Sequence, residues 1–424
     1  MNKKQRIIGV ISILLIIIIL AIIITTNIII NNNQVENARY LATTANVSSN
    51  LIASYIKKGI TIGGITGTLE VLDTSDATAT SEDILWGKTG YVKGIKITGT
   101  RIETVMQGKD WGGYFDKNTR ILDELNNNVV IPEGFKIAQE SATKVEDGVV
   151  IEDKSGNQFV WIPANTGGIT IHTTIGDKTI KYTRHAYGFN IATGEIDNNT
   201  NSEKIKESSS INGFYTEPLP VDEADSINIY GGYYIGRFES GDKQSTESKV
   251  LRSESSSVNN TITIKKGQAP YNYATYSQQK SLAEGMKDEY NYKALTKICS
   301  SYAWDTAINF IEIKNANYGS EMKIGNFMDF SFTYTDIKGS TKTKNAGVKE
   351  IIPTGQTDPV SNIYDMGGNV WERSSENYSD ANTPKSDRGG GANNEDKLYL
   401  AGIRNNYADK ALYNNGFRVS LYIY

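Results

Sequence analysis

The stretch of sequence that decides the fold is NIYDMGGNVWER, at residues 362–373. It places two carboxylates, Asp365 and Glu372, within eight residues of chain on either side of a glycine pair. A hard cation prefers carboxylate and carbonyl oxygens, and this loop supplies both. The loop is therefore a candidate calcium site. The alternative is that both carboxylates only accept hydrogen bonds from backbone amides. Trp371, inside the motif, is predicted to belong to the core.

Further motifs lie in order on both sides of this stretch. They are FVWIP at 159–163, YGGYYIGRFE at 230–239, Trp304-Asp305, RGGG at 388–391 and GFRVSL at 416–421. Together with the central stretch they strongly resemble the formylglycine-generating-enzyme family, also called sulfatase-modifying factors, over residues 129–424. The resemblance implies an α+β head with an irregular C-type-lectin-like fold and little regular secondary structure.

The chemistry of that family depends on cysteines that this sequence lacks. Family members oxidise a substrate cysteine to formylglycine with O2, using two cysteines that bind copper(I) between the Arg-Gly-Gly and Gly-Phe-Arg motifs. No cysteine lies between Gly391 and Gly416, and the single cysteine is Cys299. Copper(I) needs soft thiolate ligands, so we expect no copper and no formylglycine chemistry. The alternative is a protein-modifying oxidoreductase of this family with an unrecognised metal site.

The resemblance also implies a calcium site, and each of its ligand positions has a matching residue in this sequence. The ligands that it implies are the Asp365 side chain, the backbone carbonyls of Gly368 and Val370, and the Glu372 carboxylate. Calcium is therefore the one cofactor that we expect. Arg388 and Arg418 belong to the motifs themselves and are predicted to be internal braces.

The segment before the last motif is predicted to be a binding face. The same fold serves as a ligand-binding scaffold in diversity-generating retroelement proteins, where this segment is mutagenised at adenine-rich codons, which commonly encode asparagine. Tyrosine and asparagine make a workable binding surface, although an AT-rich gene would give the same composition. The predicted ligand-binding residues are Arg373, Asn377, Tyr378, Asn393, Asn394, Tyr399, Arg404, Asn405, Asn406, Tyr407, Tyr413 and Asn414.

Periodicity predicts secondary structure in the head. Residues 148–153 and 158–163 form a hairpin pattern around a four-residue turn. Helical spacing occurs in 274–283 and in 290–313, where Cys299 falls on the apolar stripe as a small packing residue.

Composition excludes several functions. The 424 residues carry 44 basic and 48 acidic side chains, a net charge of −4, which disfavours nucleic acid as a partner. One cysteine allows no internal disulfide framework. The two histidines, His172 and His185, lie in no recognisable motif and are predicted at the surface or on edge strands.

The first 33 residues are predicted to be a cytoplasmic start and a transmembrane anchor. Lys3, Lys4 and Arg6 precede an apolar run over 7–24, which suits a bilayer crossing of ~20 residues. No signal-peptide cleavage site follows. The positive-inside rule then keeps Met1 in the cytoplasm and exports the rest. This topology predicts a single-pass protein of the cell membrane.

Residues 34–105 are predicted to form a stem. Apolar residues at helical spacing over 31–57 predict a stalk helix, either self-associating or packed on its own domain. Ile-Thr-Gly-Thr then occurs at 65–68 and again at 97–100. Such short β repeats are typical of small hairpins, which need to pack against neighbouring segments or against the other chains of a trimer. The region resembles spacers of phage tail fibres and bacterial surface proteins, and 106–128 follows as a linker.

Together these observations predict a membrane-anchored surface protein whose head binds a protein or glycan. One version of this prediction is a diversified receptor, in which the residues of the binding face vary. A prophage-encoded adhesin is a third possibility, favoured by the tail-fibre-like spacer and disfavoured by the anchor.

Overall fold

The computed structural model describes residues 3–44, 52–70, 74–84, 88–99, 113–185, 187, 189–190, 195–196, 210–211, 215–259, 261–320, 324–395 and 400–424. Its architecture is mixed α+β and consists mostly of strands. The chain divides into two compact units. The first comprises Met1–Thr80 and Thr89–Ile97, and the second comprises Ser81–Lys88 and Thr98–Tyr424.

The helices of the described residues are few. The α-helices are α1 (Lys3–Thr44), α2 (Val221–Tyr230), α3 (Lys243–Glu247), α4 (Tyr276–Glu289) and α5 (Ser301–Ile311), and short 3-10 helices cover Ala53–Tyr55, Ser81–Asp83 and Val145–Asp147.

The strands are short and numerous. They are β1 (Thr61–Ile62), β2 (Ile65–Thr66), β3 (Thr89–Val92), β4 (Ile95–Thr98), β5 (Thr119–Leu122), β6 (Asn128–Ile131), β7 (Lys136–Ile137), β8 (Val150–Glu152), β9 (Gln158–Pro163), β10 (Ile169–Ile171), β11 (Lys178–Ile180), β12 (Phe189–Asn190), β13 (Glu195–Ile196), β14 (Ser210–Ile211), β15 (Tyr215–Thr216), β16 (Gly232–Gly236), β17 (Gly241–Asp242), β18 (Ile262–Thr263), β19 (Ala269–Pro270), β20 (Ala294–Ile298), β21 (Phe332–Thr335), β22 (Thr341–Lys344), β23 (Trp371–Tyr378), β24 (Lys385–Arg388), β25 (Arg404–Tyr407), β26 (Asn415–Phe417) and β27 (Val419–Ile423).

Helix α1 is continuous through the apolar run and beyond it. Residues Leu14–Asn37 are long and apolar enough to cross a membrane, and none of their apolar surface is buried inside the protein. The asparagines at 31–33 do not interrupt the helix, which ends at Thr44. The predicted extension of a stalk helix to residue 57 is wrong, because Ala53–Tyr55 is a separate 3-10 turn preceded by the extended residue Ile52.

The two Ile-Thr-Gly-Thr repeats form hairpins, as predicted. Strands β1 and β2 pair antiparallel, and so do β3 and β4. The turn of the first hairpin is Gly63-Gly64 and that of the second is Lys93-Gly94, all with positive φ. Two-residue turns of this kind match the right-handed twist of paired strands, and glycine enters that conformation without steric cost.

The core of the second unit is a six-stranded sheet in the order β20-β27-β16-β9-β8-β7. The predicted hairpin is confirmed, since β8 pairs antiparallel with β9. Every residue of β9 and β16 is buried, which agrees with their nearly continuous apolar sequences. Strand β5 lies in the predicted linker, but Ile121 is fully buried in this core, so this part of the linker belongs to the folded head.

The predicted helix over 290–313 is wrong in its first half. Strand β20 occupies part of it and alternates buried and half-buried residues, which is the period of a strand. Helix α5 begins only after Ser300, whose side chain accepts a hydrogen bond from Ala303 N at 3.1 Å. Cys299 is buried between the two elements, as expected for a small packing residue.

Candidate ligand-binding site

Most of the predicted ligand-binding residues lie on or beside one sheet. Its strands run in the order β14-β15-β23-β24-β25, and β26 pairs in parallel with β23. Strand β25 is at the edge. Because side chains alternate between the two faces of a strand, neighbouring residues of this sheet meet different environments.

On one face, a row of three residues crosses three strands. Asn377 of β23 is opposite Lys385 of β24, and Lys385 is opposite Tyr407 of β25. Lys385 Nζ donates to Asn377 Oδ1 at 2.6 Å and lies 4.1 Å from the centre of the Tyr276 ring. We call Asn377, Lys385 and Tyr407 the polar strip. Asn377 is exposed, and the other two are half-buried.

Other predicted residues lie on the same strands or on the loops that follow them. Asn405 and Asn406 are half-buried on β25, and Asn406 Nδ2 donates to Thr383 Oγ1 at 2.8 Å. Tyr413 is 46% exposed. Burial, with smaller contributions from Tyr407 and Tyr273, raises the pKa of Tyr413. Tyr378 is half-buried and its ring centre is 4.8 Å from that of Tyr215.

The prediction that Arg404 lies on the binding face is wrong. Arg404 is buried beneath the sheet. Its Nε lies 3.0 Å from both carboxylate oxygens of Glu376, and its Nη2 donates to Asp305. Arg184 also donates to Glu376, and Arg388 also donates to Asp305. Each buried carboxylate thus pairs with two guanidinium groups.

This buried ion network keeps Glu376 ionised. Burial alone would raise the pKa of Glu376, but Arg404, Arg184 and Arg388 lower it to about 2. Arg388 is fully buried here, as predicted for an internal brace. Sequence reasoning missed Glu376 and Arg184, because nothing in their local sequence distinguishes a buried ion from a surface one.

The prediction that Arg373 lies on the face is also wrong. Arg373 is 1% exposed, and its guanidinium donates to three backbone carbonyls, those of Ala274, Ala408 and Lys410. Its Nε lies 3.7 Å from Asp387 Oδ1. Arg373 therefore attaches the loop after β25 to strand β23.

The remaining predicted binding residues are placed as follows. Asn414 is buried, and its carbonyl accepts from Trp371 N at 2.7 Å. Asn393 and Asn394 lie half-buried in a turn, where Asn394 Oδ1 accepts from Gly391 N. Tyr399 lies outside the described residues.

The predicted calcium ligands already have other partners. Asp365 accepts from Gly355 N at 2.5 Å and from Thr357 Oγ1 at 2.9 Å. Both oxygens of Glu372 face Arg418, at 2.9 and 2.5 Å. Within the parts of the chain that the structure describes, no three acidic, histidine or cysteine side chains group as metal ligands. The predicted set consists of two such side chains and the backbone carbonyls of Gly368 and Val370, so the calcium site stays a prediction.

The loop also encloses a carboxylate that the sequence did not point to. Glu239 is fully buried, accepts from Asn369 Nδ2 at 2.7 Å and accepts from Val370 N at 3.2 Å. Burial, Asp365 and Glu372 raise its pKa. Burial also raises the pKa of Glu372 to about 7, against the charge of Arg418.

Two other predicted positions can be compared with the structure. His172 is exposed, as predicted, and its Nδ1 lies 2.9 Å from Asp177 Oδ1. His185 is buried against Tyr187, so its predicted surface position is wrong.

Burial raises the pKa of the Cys299 thiol, which leaves it in the unreactive protonated form.

Comparisons with known proteins assign no family. No family model matches the chain, and no curated protein matches it. Among solved structures, the chain is similar to CarF, with 16% identity and a TM-score of 0.31 over 46% of this chain and 87% of that one. It is similar to PvdO from Pseudomonas aeruginosa, with 14% identity and a TM-score of 0.35 over 65% and 98%.

A third similar structure is Treponema denticola variable protein 1, with 13% identity and a TM-score of 0.31 over 62% of this chain and 95% of that one. At these identities and TM-scores, none of the three assigns a fold family or a function. The structure itself shows a mixed α+β protein that consists mostly of strands and has one apolar helix near its N-terminus.

Proposed function

We propose that this chain is a membrane-anchored surface protein whose head binds a protein or glycan ligand without formylglycine chemistry. The observation that carries the proposal is the polar strip. It presents an amide, an ammonium group and a phenol in register across three strands. The buried ion network beneath the sheet connects Glu376 of β23, Arg388 of β24 and Arg404 of β25 through Asp305, and a binding surface requires such a defined scaffold.

The same proposal includes a formylglycine-generating-enzyme-like, C-type-lectin-like fold for residues 129–424. The motif residues support it by their positions. Trp371 is 2% exposed, and Arg388 and Arg418 are fully buried braces. In this proposal α1 crosses the membrane once with Met1 in the cytoplasm, the hairpin repeats form a stem that associates as a homotrimer, and the head lies outside the cell.

Binding screens test the proposal. The full chain in detergent is applied to a glycan array and to a phage-displayed peptide library. We expect ligands in at least one, with binding reduced about tenfold or more by Tyr407→Ala and by Asn377→Ala. Tyr55→Ala is the matched control, since Tyr55 is 78% exposed and lies in the other unit. Absence of ligands in both screens, or equal binding by all variants, contradicts the proposal.

A further inference from the structure

An asparagine, Asn27, interrupts the apolar surface of α1. Three isoleucines, at 28–30, separate it from the polar residues that begin at Asn31. At ~1.5 Å per helical residue, Asn27 lies about 6 Å inside the end of the apolar run. In the membrane crossing proposed above, its amide is therefore within the hydrocarbon, where no water is present to form hydrogen bonds with it.

The two threonines before Asn27 satisfy their hydroxyl groups within the helix. Thr25 Oγ1 donates to the carbonyl of Ala21, and Thr26 Oγ1 donates to the carbonyl of Ile22 at 2.7 Å. The Asn27 amide also has an acceptor oxygen, which the helix cannot satisfy because its backbone N–H groups already donate to its own carbonyls. Within the described structure, no part of the span Leu14–Asn37 is buried, so the rest of the chain does not cover this amide.

Two further amides lie on the same side of α1 as Asn27. With 3.6 residues per turn, Asn31 and Gln34 project within about 60° of it around the helix axis. We call Asn27, Asn31 and Gln34 the amide stripe. Apolar residues continue the stripe toward the N-terminus at the alternating three- and four-residue spacing of helices that pack side by side. The six exposed residues that follow this spacing are Ile17, Leu20, Ile24, Asn27, Asn31 and Gln34.

A second copy of this chain provides the chemical complement of the amide stripe. Insertion with Met1 in the cytoplasm gives every copy the same orientation, so neighbouring α1 helices in one membrane are parallel. In a symmetric parallel association, each residue of the stripe lies near the same residue of the other helix. An amide both donates and accepts hydrogen bonds, so it can pair with an identical amide. A carboxylate or an ammonium group at these positions would instead repel its copy.

We infer that α1 associates with the α1 helix of another copy of this chain through the amide stripe. Inside the membrane, Asn27 of each copy forms a hydrogen bond with Asn27 of its neighbour, as polar side chains do between membrane helices. Leu20 and Ile24 pack against the neighbouring helix below this contact. The inference rests on the proposed membrane crossing, and it adds a contact inside the membrane to the proposed association of the stem.

Cysteine cross-linking tests the inference with a matched pair of positions. Asn31 and Asn33 are identical, exposed residues, and two positions along a helix differ by about 200° around its axis. The full chain with Asn31→Cys or Asn33→Cys is oxidised in membrane vesicles and separated on non-reducing gels. We expect disulfide-linked dimers from Asn31→Cys, about fivefold or more above those from Asn33→Cys, because a disulfide requires Cα atoms within ~7 Å. Cys299 is buried, and the unsubstituted chain measures any background from it.

A second substitution tests the amide inside the membrane. Asn27→Leu, combined with Asn31→Cys, should lower cross-linking about threefold to tenfold, which is the effect expected for one hydrogen bond between membrane helices. Ile29→Leu, on the opposite side of the helix, should leave it unchanged. Asn27→Leu makes the span more apolar, so this variant should stay in the carbonate-resistant membrane fraction.

Two results overturn the inference. One is equal cross-linking from Asn31→Cys and Asn33→Cys, and the other is cross-linking that Asn27→Leu does not change. Either result in a carbonate-resistant chain leaves the proposed function standing and overturns only this inference. A wild-type chain that carbonate extracts from the membrane overturns the proposed crossing, and this inference with it.

Discussion

Glu372 and Arg418 form a fully buried ion pair in which the guanidinium Nε and Nη2 lie 2.9 and 2.5 Å from the two carboxylate oxygens. The same guanidinium donates to the carbonyls of Gly236, at 2.8 Å, and Tyr364, at 2.9 Å. One side chain between β26 and β27 thus connects β23, β16 and the loop that precedes β23.

Breaking this pair should strongly destabilise the head. Glu372→Gln leaves the guanidinium buried without its counter-charge, and removing one partner of a buried pair costs ~3–5 kcal/mol. Guanidinium denaturation at about pH 8.5, above the pKa of about 7 that burial gives Glu372, measures the loss by tryptophan fluorescence. Glu284→Gln is the matched control, because Glu284 forms an exposed pair with Lys280 that is worth ~1 kcal/mol or less. Equal losses from the two substitutions would show that the pair contributes little.

Removal of calcium should not change the stability of the head. Arg418 already neutralises Glu372, and the Asp365 oxygens already accept two hydrogen bonds. We expect the same melting temperature in EGTA and in millimolar calcium. A rise in melting temperature with calcium would show that the loop rearranges to bind the ion.

Stability should fall between about pH 4.5 and pH 7 because of Glu217. Burial and the charge of Glu376 raise the pKa of this carboxyl from 4.5 to about 7, although Ser301 and Ser375 donate to it. A carboxyl group whose pKa is higher in the folded state than in the unfolded state stabilises the fold fully at pH values below its unfolded-state pKa. This contribution is lost as the pH rises through the folded-state pKa.

At ~1.4 kcal/mol per pKa unit, the loss from Glu217 is about 3 kcal/mol. Unfolding free energies at pH 5 and pH 8 measure it. Glu217→Gln should reduce the difference, and part of the fall should remain because burial also raises the pKa values of Asp387 and Glu372 to about 7. A Glu217→Gln protein with the full wild-type difference would contradict the assignment.

Membrane integration should depend on the apolar surface of α1. Ile18 is 49% exposed within the span, and an arginine at the centre of a crossing costs ~2.5–3.5 kcal/mol of insertion. Ile18→Arg should shift the chain from the carbonate-resistant membrane fraction toward the soluble fraction, with Ile18→Leu as control. Equal fractionation of both variants would argue against a crossing at this helix.

If the gene is diversified, the substitutions should follow exposure. Deep sequencing of the host population should show changes at adenine-bearing codons of Asn405, Asn406, Tyr407 and Tyr413. The codons of Asn414 and Asn415 should stay constant, because these side chains are 4% and 0% exposed. Changes at buried and exposed asparagine codons alike would indicate drift, and a uniform sequence would indicate a fixed receptor.

Local patterns predicted much of the fold. Alternation and turn residues located the hairpin of β8 and β9 and the two repeat hairpins, because these depend on neighbouring residues. Residues 294–298 were misassigned because their apolar spacing fits both a helix and a strand. Pairing with β27, more than a hundred residues away, decides between the two.

The candidate site was predicted less completely for the same reason. The asparagines and tyrosines near the end of the chain were identified, but Arg373 and Arg404 were predicted to be exposed, and both are buried. Their burial depends on partners far away in the sequence, Ala274 and Asp305. The strands that carry the two arginines have no alternation of apolar and polar residues, so the sequence does not reveal which positions are buried.

The position of β27 has a consequence for biosynthesis. This strand lies between β16 and β20 in the central sheet, yet it covers residues 419–423. Strand β20 therefore cannot join the rest of the sheet until residues 419–423 have been synthesised, and such long-range pairing is slow. A chain that stops before residue 419 would lack the strand that links β20 to β16, and its sheet would be left with β20 unattached.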